Sequence, residues 1–90
     1  MSRINFSDLK RKEFCEFLSL LSKSETIADA DFAELIYIAL TKHGLNTVGI
    51  KNELGLSNGT IERWMQSQNL PQDIARGKIL SIIKKTLELS

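Results

Sequence analysis

The chain has 90 residues, of which 42% are hydrophobic and 26% charged, a composition typical of one small globular domain over residues 1–90. No apolar run approaches the roughly 18 residues that a membrane span needs, and the start of the chain has no secretory pattern. One cysteine and one histidine cannot form a disulfide or a four-ligand metal site, so we expect no metal, no cofactor and a reducing, cytoplasmic location.

The formal net charge of +1 is distributed unevenly along the chain. Residues 1–41 carry five bases and seven acids, whereas residues 42–90 carry seven bases and four acids. The second part of the chain, with a net charge of +3, therefore favours an anionic partner, although it is far less basic than a polybasic tail.

The first two helices are predicted at about residues 8–22 and 30–43, because apolar residues there recur at spacings of three and four. Ser7 is placed to cap the first helix, and Asp29 or Asp31 to cap the second. The inward faces are Phe14, Phe17, Leu18 and Leu21 in the first helix and Phe32, Leu35, Ile36, Ala39, Leu40 and His43 in the second.

Three further helices are predicted at about residues 47–54, 58–67 and 71–88. Gly44 follows the basic last turn of the second helix and is expected to end it. The residues that delimit the later helices are Asn46 as the cap of the third, Gly55 after it, Ser57 as the cap of the fourth and Pro71 in the first turn of the fifth. The apolar positions are Val48, Ile50 and Leu54, then Ile61, Trp64 and Met65, then Ile74, Ile79, Leu80, Ile83 and Leu87, widened by Ile82 and Leu89. The sequence thus predicts an all-α, compact bundle of five helices.

Two of these helices have the spacing of a helix-turn-helix over residues 46–67. A turn of three residues, beginning with Gly55, joins two short helices so that one can brace the other in the major groove of DNA. Glycine suits such a turn because other residues adopt its backbone conformation at a cost.

The stretch "NTVGIKNELGLSNGTIERWMQSQNLP", residues 46–71, resembles the helix-turn-helix of the phage-repressor/Cro-like (Xre-like) transcriptional regulators. Those proteins often show a run "G-[LV]-S-x-x-T-[IV]-x-R-W…P". The resemblance implies sequence-specific binding of duplex DNA in the major groove. It implies base contacts from the residues just after the turn and one turn later, which are Asn58, Gly59, Thr60 and Arg63. It also implies phosphate contacts from the start of the preceding helix, which are Asn46 and Thr47.

Three features bear on this interpretation. Lys51 stands where the family usually has a small residue, and it is either a phosphate contact or an exposed surface lysine. Glu62 is unfavourable near phosphates, although a carboxylate can accept a hydrogen bond from cytosine N4. The helix at 8–22 is an addition before the usual bundle. A homodimer is expected, because one short helix reads only a few base pairs.

Simpler interpretations stand beside these. Residues 55–71 could form a helical corner without any DNA role, with Trp64 in the core, Arg63 a solvated cation and Gly59 merely tolerated. Asn58 is a slightly better candidate than Arg63 for a base contact, because its amide can pair bidentately with adenine. Cys15 is expected to be a buried structural thiol. The basic residues expected to be mostly solvated are Lys10, Arg11 and Lys12 in the first helix and Arg76, Lys78, Lys84 and Lys85 in the last.

The sequence does not indicate an enzyme. It has no glycine-rich phosphate loop after a strand and no partner placed to work with His43, and no small-molecule ligand is implied. The alternative to DNA binding is a helical protein-interaction module, such as a phage or mobile-element accessory protein. The wide apolar faces of the first and last helices suit that function and suit dimerisation of a DNA-binding protein equally well.

Overall fold

The computed structural model describes residues 6–24 and 26–89, and the side chain of Ser7 is not among the described parts. Arg3 and Glu25, which enter the charge comparison, lie outside the described residues. A short 3-10 turn (Phe6–Asp8) precedes five α-helices, and no described residue lies in a strand. The helices are α1 (Arg11–Ser22), α2 (Asp29–Thr41), α3 (Thr47–Leu54), α4 (Thr60–Met65) and α5 (Asp73–Leu89). The predicted all-α, five-helix bundle is confirmed, and none of the described helices has the length and apolar character needed to cross a membrane.

The first helix begins later than predicted, so the expected cap at Ser7 is wrong. Ser7 belongs to the 3-10 turn, and Lys10 is the N-cap of α1. The backbone N–H of Lys10 donates to the Glu13 carboxylate at 3.1 Å, which satisfies one of the free donors at this helix end. The turn has a packing role as well, because it brings the buried Phe6 ring within 4.9 Å of the Phe17 ring in α1.

The starts of α2 and α5 also differ from the prediction, and the residues predicted to mark them contact Arg76 instead. The N-cap of α2 is Ala28, and Asp29 is already the first helical residue. The carboxylate of Asp29 lies 2.7 Å from the Arg76 guanidinium rather than capping the helix. Pro71 lies before α5, which begins at Asp73, and its carbonyl accepts a hydrogen bond from Arg76 Nε at 2.8 Å.

Arg76 departs from the prediction of a solvated cation, because it is only 7% exposed. Its Nη1 donates to the carbonyl of Ile27 at 2.7 Å and lies 3.5 Å from the carboxylate of Asp73. Its guanidinium also lies 5.7 Å from the centre of the Phe32 ring, within the range of a cation–π contact. Arg76 therefore joins the start of α5 to the segment that leads into α2.

The core lies where α5 packs along α1 and where α4 packs on α2. The largest fully buried side chains are Phe14, Leu18, Phe32, Leu35, Ile36, Ile50, Leu80, Ile83 and Leu87. Cys15 is buried as predicted, and its burial raises the pKa of its thiol, with a further rise from the Glu88 carboxylate. Each large apolar side chain that is fully buried stabilises the fold by about 1.5–3 kcal/mol.

Two apolar residues of α5 do not face this core. Ile74 is 88% exposed and Leu89 is 79% exposed, against the sequence prediction. Ile74 precedes the buried Ile79 by five residues, which rotates it by about 140° around the helix axis. The same geometry turns Leu89 away from Leu87, two residues earlier.

His43 is buried, as its place in the predicted inward stripe indicates, although it lies just beyond the end of α2. Its ring lies 4.8 Å from the Phe14 ring, and its backbone carbonyl accepts a hydrogen bond from Arg11 at 2.8 Å. Its Nε2 atom makes no hydrogen bond within the described part of the chain. Burial, together with the nearby charges of Arg11 and Lys42, holds the pKa of His43 below its usual value.

Candidate nucleic-acid interface

The start and end of α3 follow the sequence prediction. The Asn46 side chain accepts a hydrogen bond from the backbone N–H of Val48 at 3.0 Å and caps the helix. Gly55 ends the helix in the left-handed conformation, with φ of 66°. Ile50 is buried and fixes the inner face of α3 in the core, whereas Val48 is 62% exposed. The expectation that Asn46 and Gly55 delimit this helix is therefore confirmed.

The connection between α3 and α4 is longer than the three residues predicted. It runs from Gly55 to Gly59, and α4 begins at Thr60 rather than at residue 58. Gly59 has φ of 85°, which is incompatible with a right-handed helix, so the helix cannot start before it. Ser57 is therefore not the N-cap: its hydroxyl pairs with the Thr60 hydroxyl at 2.9 Å, and its carbonyl accepts from the Thr60 N–H at 3.3 Å.

Two buried residues fix the rotation of α4 about its axis. Ile61 and Trp64 are 2% and 4% exposed. The Trp64 ring meets the Phe32 ring of α2 in an edge-to-face arrangement at 5.8 Å, and its indole N–H donates to the carbonyl of Asn69 at 3.1 Å. The prediction that Trp64 belongs to the core is confirmed, and its indole N–H is satisfied by the backbone.

Because the inner face of α4 is fixed, the residues predicted to contact bases lie at its outer side and in the turn before it. Asn58 and Arg63 are exposed, and Gly59 and Thr60 are half-buried. Asn58 and Gly59 lie in the turn, not in the first helical turn as predicted. The Arg63 guanidinium lies over Gly59: a Cβ atom at Gly59 would be 3.7 Å from Arg63 Nη2 and 3.8 Å from Cζ.

The residues predicted to contact phosphate are less free than the sequence indicates. The carbonyl oxygen of the Asn46 side chain is engaged in capping α3, which leaves its amide hydrogens to meet a partner. Thr47 is half-buried at the first position of α3. Lys51 Nζ lies 3.9 Å from Glu62 Oε1 on α4, and the Lys51 side chain is only 22% exposed.

The surface built from residues 46–63 is balanced in charge. It holds two cations, Lys51 and Arg63, and two carboxylates, Glu53 and Glu62. The net charge of +3 in the second part of the chain therefore comes from residues outside this surface, mostly on α5. A surface of this kind attracts phosphate only weakly, so any affinity for DNA must depend on specific contacts.

Gln66 belongs with the outward residues, and sequence reasoning missed it. It is exposed and follows Glu62 by four residues and Arg63 by three, so it lies on the same side of the helix as both. That spacing was visible in the sequence. A glutamine amide can pair bidentately with adenine, the chemistry also available to Asn58.

No protein-family model, no curated protein and no solved structure matches the chain. The family resemblance of residues 46–71 therefore stays a prediction, and so do the roles that it implies. The geometry itself shows two short helices with fixed inner faces, a glycine-containing connection, and polar side chains on the outer side of α4.

Proposed function

We propose that the chain binds duplex DNA in a sequence-specific manner, as a small transcriptional regulator that places α4 in the major groove. The observation that carries this proposal is the anchoring of α4 through Ile61 and Trp64. That anchoring leaves Arg63 and Gln66 exposed on the outer side of α4, with the exposed Asn58 in the turn before it. These are the side-chain types that read base edges in the major groove.

Each outward residue has chemistry suited to this function. The Asn58 amide can donate to and accept from adenine, and the Arg63 guanidinium can donate to O6 and N7 of guanine. Gly59 has no side chain, so the Arg63 guanidinium can lie over the turn, and Thr60 adds a hydroxyl and a methyl group. Asn46 and Thr47, at the start of α3, supply neutral donors for backbone phosphates.

Two properties of this surface bear on the proposal, namely its balanced charge and the short length of α4. Non-specific affinity is low, because few counterions are released from the DNA. One copy of the six-residue helix α4 also covers only a few base pairs. A homodimer would double the base contacts, with its two α4 helices about 34 Å apart on a palindromic site.

The proposal is tested by selecting duplexes from a random pool with the purified protein and measuring their affinities by fluorescence anisotropy at about 50 and 200 mM salt. Arg63→Ala and Asn58→Ala are each expected to reduce discrimination at one base position by about 1–3 kcal/mol. Lys85→Ala is the control, because it removes an exposed positive charge from α5 and should leave sequence preference unchanged. If sequence preference is unchanged in both site variants, α4 is not the reading element.

A second candidate function, binding of a protein partner through the same surface, is favoured by the charge balance and by the exposed Val48 at the start of α3. Depletion of net charge together with an exposed apolar residue is more typical of a protein interface than of a DNA interface. If the folded wild-type protein selects no duplex even at low salt, this second function is the better supported one.

A further inference from the structure

The ion pair between Lys51 and Glu62 joins the two helices of the candidate interface. Lys51 Nζ on α3 lies 3.9 Å from Glu62 Oε1 on α4. The Glu62 side chain is 53% exposed, so its carboxylate remains open to a partner while it lies beside the ammonium group. Such a pair contributes little to stability, but it restricts where the carboxylate points.

Lys51 is well placed to hold Glu62, because its backbone is fixed at the end of α3. The Lys51 carbonyl accepts hydrogen bonds from the N–H groups of both Gly55 and Leu56, the latter at 2.9 Å. The side chain is largely covered and extends toward α4, so the ammonium group is directed at Glu62 instead of outward. A lysine in this arrangement is poorly placed to contact phosphate.

The chemistry of Glu62 at this position is selective. An ionised carboxylate only accepts hydrogen bonds, and it is repelled by the phosphates on either side of a groove. Its presence disfavours DNA in general unless a base presents a donor, and cytosine N4 is the donor that a carboxylate matches in the major groove. Glu62 is adjacent to Arg63, whose guanidinium matches guanine.

We propose that Glu62 determines specificity for cytosine and lowers non-specific affinity, and that Lys51 is a positioning residue for Glu62 instead of a phosphate contact. This inference rests on the proposed DNA-binding function. It predicts two opposite effects when Glu62 is replaced by an uncharged residue: affinity for unrelated DNA rises, while discrimination at one base pair falls. A glutamate with only a structural role at the start of α4 would change stability and leave base preference intact.

The experiment compares the wild-type protein with Glu62→Gln, Lys51→Met and the control Glu16→Gln, which removes one exposed carboxylate from α1, outside the surface of residues 46–63. Each is measured on the site selected by the wild-type protein, on single-base variants of that site and on an unrelated duplex, over a range of salt concentrations. Glu62→Gln should reduce discrimination at one cytosine by roughly 5- to 150-fold and tighten binding to the unrelated duplex. Lys51→Met should weaken the same base preference with the salt slope unchanged. Glu16→Gln should change neither the base preference nor the affinity for the unrelated duplex.

Two results would overturn the inference in distinguishable ways. If the wild-type protein selects no duplex, the proposed function fails and the roles of Glu62 and Lys51 fail with it. If the wild-type protein selects a site but Glu62→Gln keeps the same base preference, only the inference on Glu62 fails. A loss of about one unit of salt slope in Lys51→Met, with uniformly weaker binding to all duplexes, would identify Lys51 as a phosphate contact. Circular dichroism of each variant verifies that the helical fold is retained.

Discussion

Arg76 joins the segment before α2 to the segment before α5 through hydrogen bonds to backbone carbonyls. Its guanidinium donates to the carbonyls of Ile27 and Pro71, and both groups lie in segments without regular secondary structure. Carbonyl groups in such segments have no helix partner, so a buried donor that reaches both is structurally valuable. The acidic partners Asp29 and Asp73 are largely exposed, and their ion pairs with Arg76 add less than the two hydrogen bonds.

Arg76→Met is expected to lower the free energy of unfolding by about 2–3 kcal/mol, because two carbonyls lose a charged donor while the apolar stem is kept. Urea unfolding followed by circular dichroism measures this loss. Lys78→Met is the matched control, since Lys78 is exposed on the same helix and its substitution should change stability by less than about 0.5 kcal/mol. Equal stability of the two variants would show that the contacts of Arg76 are not important for the fold.

The position of Arg76 was partly available from the sequence. It precedes Ile79 by three residues and Leu80 by four, so it falls on the inward stripe of α5. Its residue type suggested a solvated surface, because arginine is seldom fully buried without partners. Those partners come from Ile27 and Asp29, which are distant in sequence. Helical periodicity identifies the buried face of a helix, but it does not reveal a polar contact between distant segments.

At the scale of the elements, α1 and α5 approach each other closely at Gly77. A Cβ atom at this position would lie 2.7 Å from the backbone carbonyl oxygen of Ser22, a contact too short to be relieved without moving a helix. Gly49 in α3 is a matched site, since a Cβ atom there would meet nothing within 4 Å. The two glycines therefore separate the effect of packing from the effect of helix propensity.

Gly77→Ala is expected to destabilise the protein by about 1–2 kcal/mol, because overpacking at the helix crossing outweighs the gain in helix propensity. Gly49→Ala should stabilise it by about 0.5–1 kcal/mol through propensity alone. Thermal and urea unfolding of both variants measure the two effects. A stabilising Gly77→Ala would mean that α1 and α5 can separate at little cost.

The ends of the helices show where sequence reasoning worked and where it did not. Asn46 and Gly55 were correctly assigned to the ends of α3, because a side-chain cap and a left-handed glycine act through local chemistry alone. The start of α4 was placed two residues early. The sequence "SNGT" offers both Ser57 and Gly59 as the boundary, and only the positive φ of Gly59 decides between them. This difference moves Asn58 from the helix into the turn, so it changes the predicted site itself.

Across the whole molecule, composition indicated a basic second part of the chain but not where the charge lies. A cluster of cations around α3 and α4 would have strongly supported the prediction of an anionic partner. Instead Lys78, Lys84 and Lys85 are on α5, whereas Lys51 is paired with Glu62. The outward position of Arg63 on α4 could be predicted from the sequence, because it follows from the helical period. The charge balance of the surface also depends on an ion pair between two helices, which the periodicity of one helix cannot predict.

Acid should destabilise the whole fold through His43, the chain's one histidine. The ring is buried against Phe14, its Nε2 has no hydrogen-bond partner among the described residues, and the charges of Arg11 and Lys42 oppose a further positive charge. The pKa of His43 is therefore lower in the folded state than in the unfolded chain, where it is about 6.5. Above that pH the ring is neutral in both states. As the pH falls below it, the unfolded chain takes up a proton that the folded protein does not, so stability falls.

The contribution of His43 to the free energy of unfolding should accordingly change little between pH 7 and 8 and decrease below about pH 6.5, by at most about 1.4 kcal/mol per pH unit. The decrease continues until the pH reaches the depressed pKa of the folded state. Urea unfolding at closely spaced pH values measures the slope, and His43→Phe is the matched variant, because its ring fills a similar space without a titrating group. Carboxylates titrate mainly below about pH 5, so His43→Phe should remove the slope between pH 7 and 5.5. A slope that persists in the variant would mean that a group other than His43 links the stability of the fold to pH.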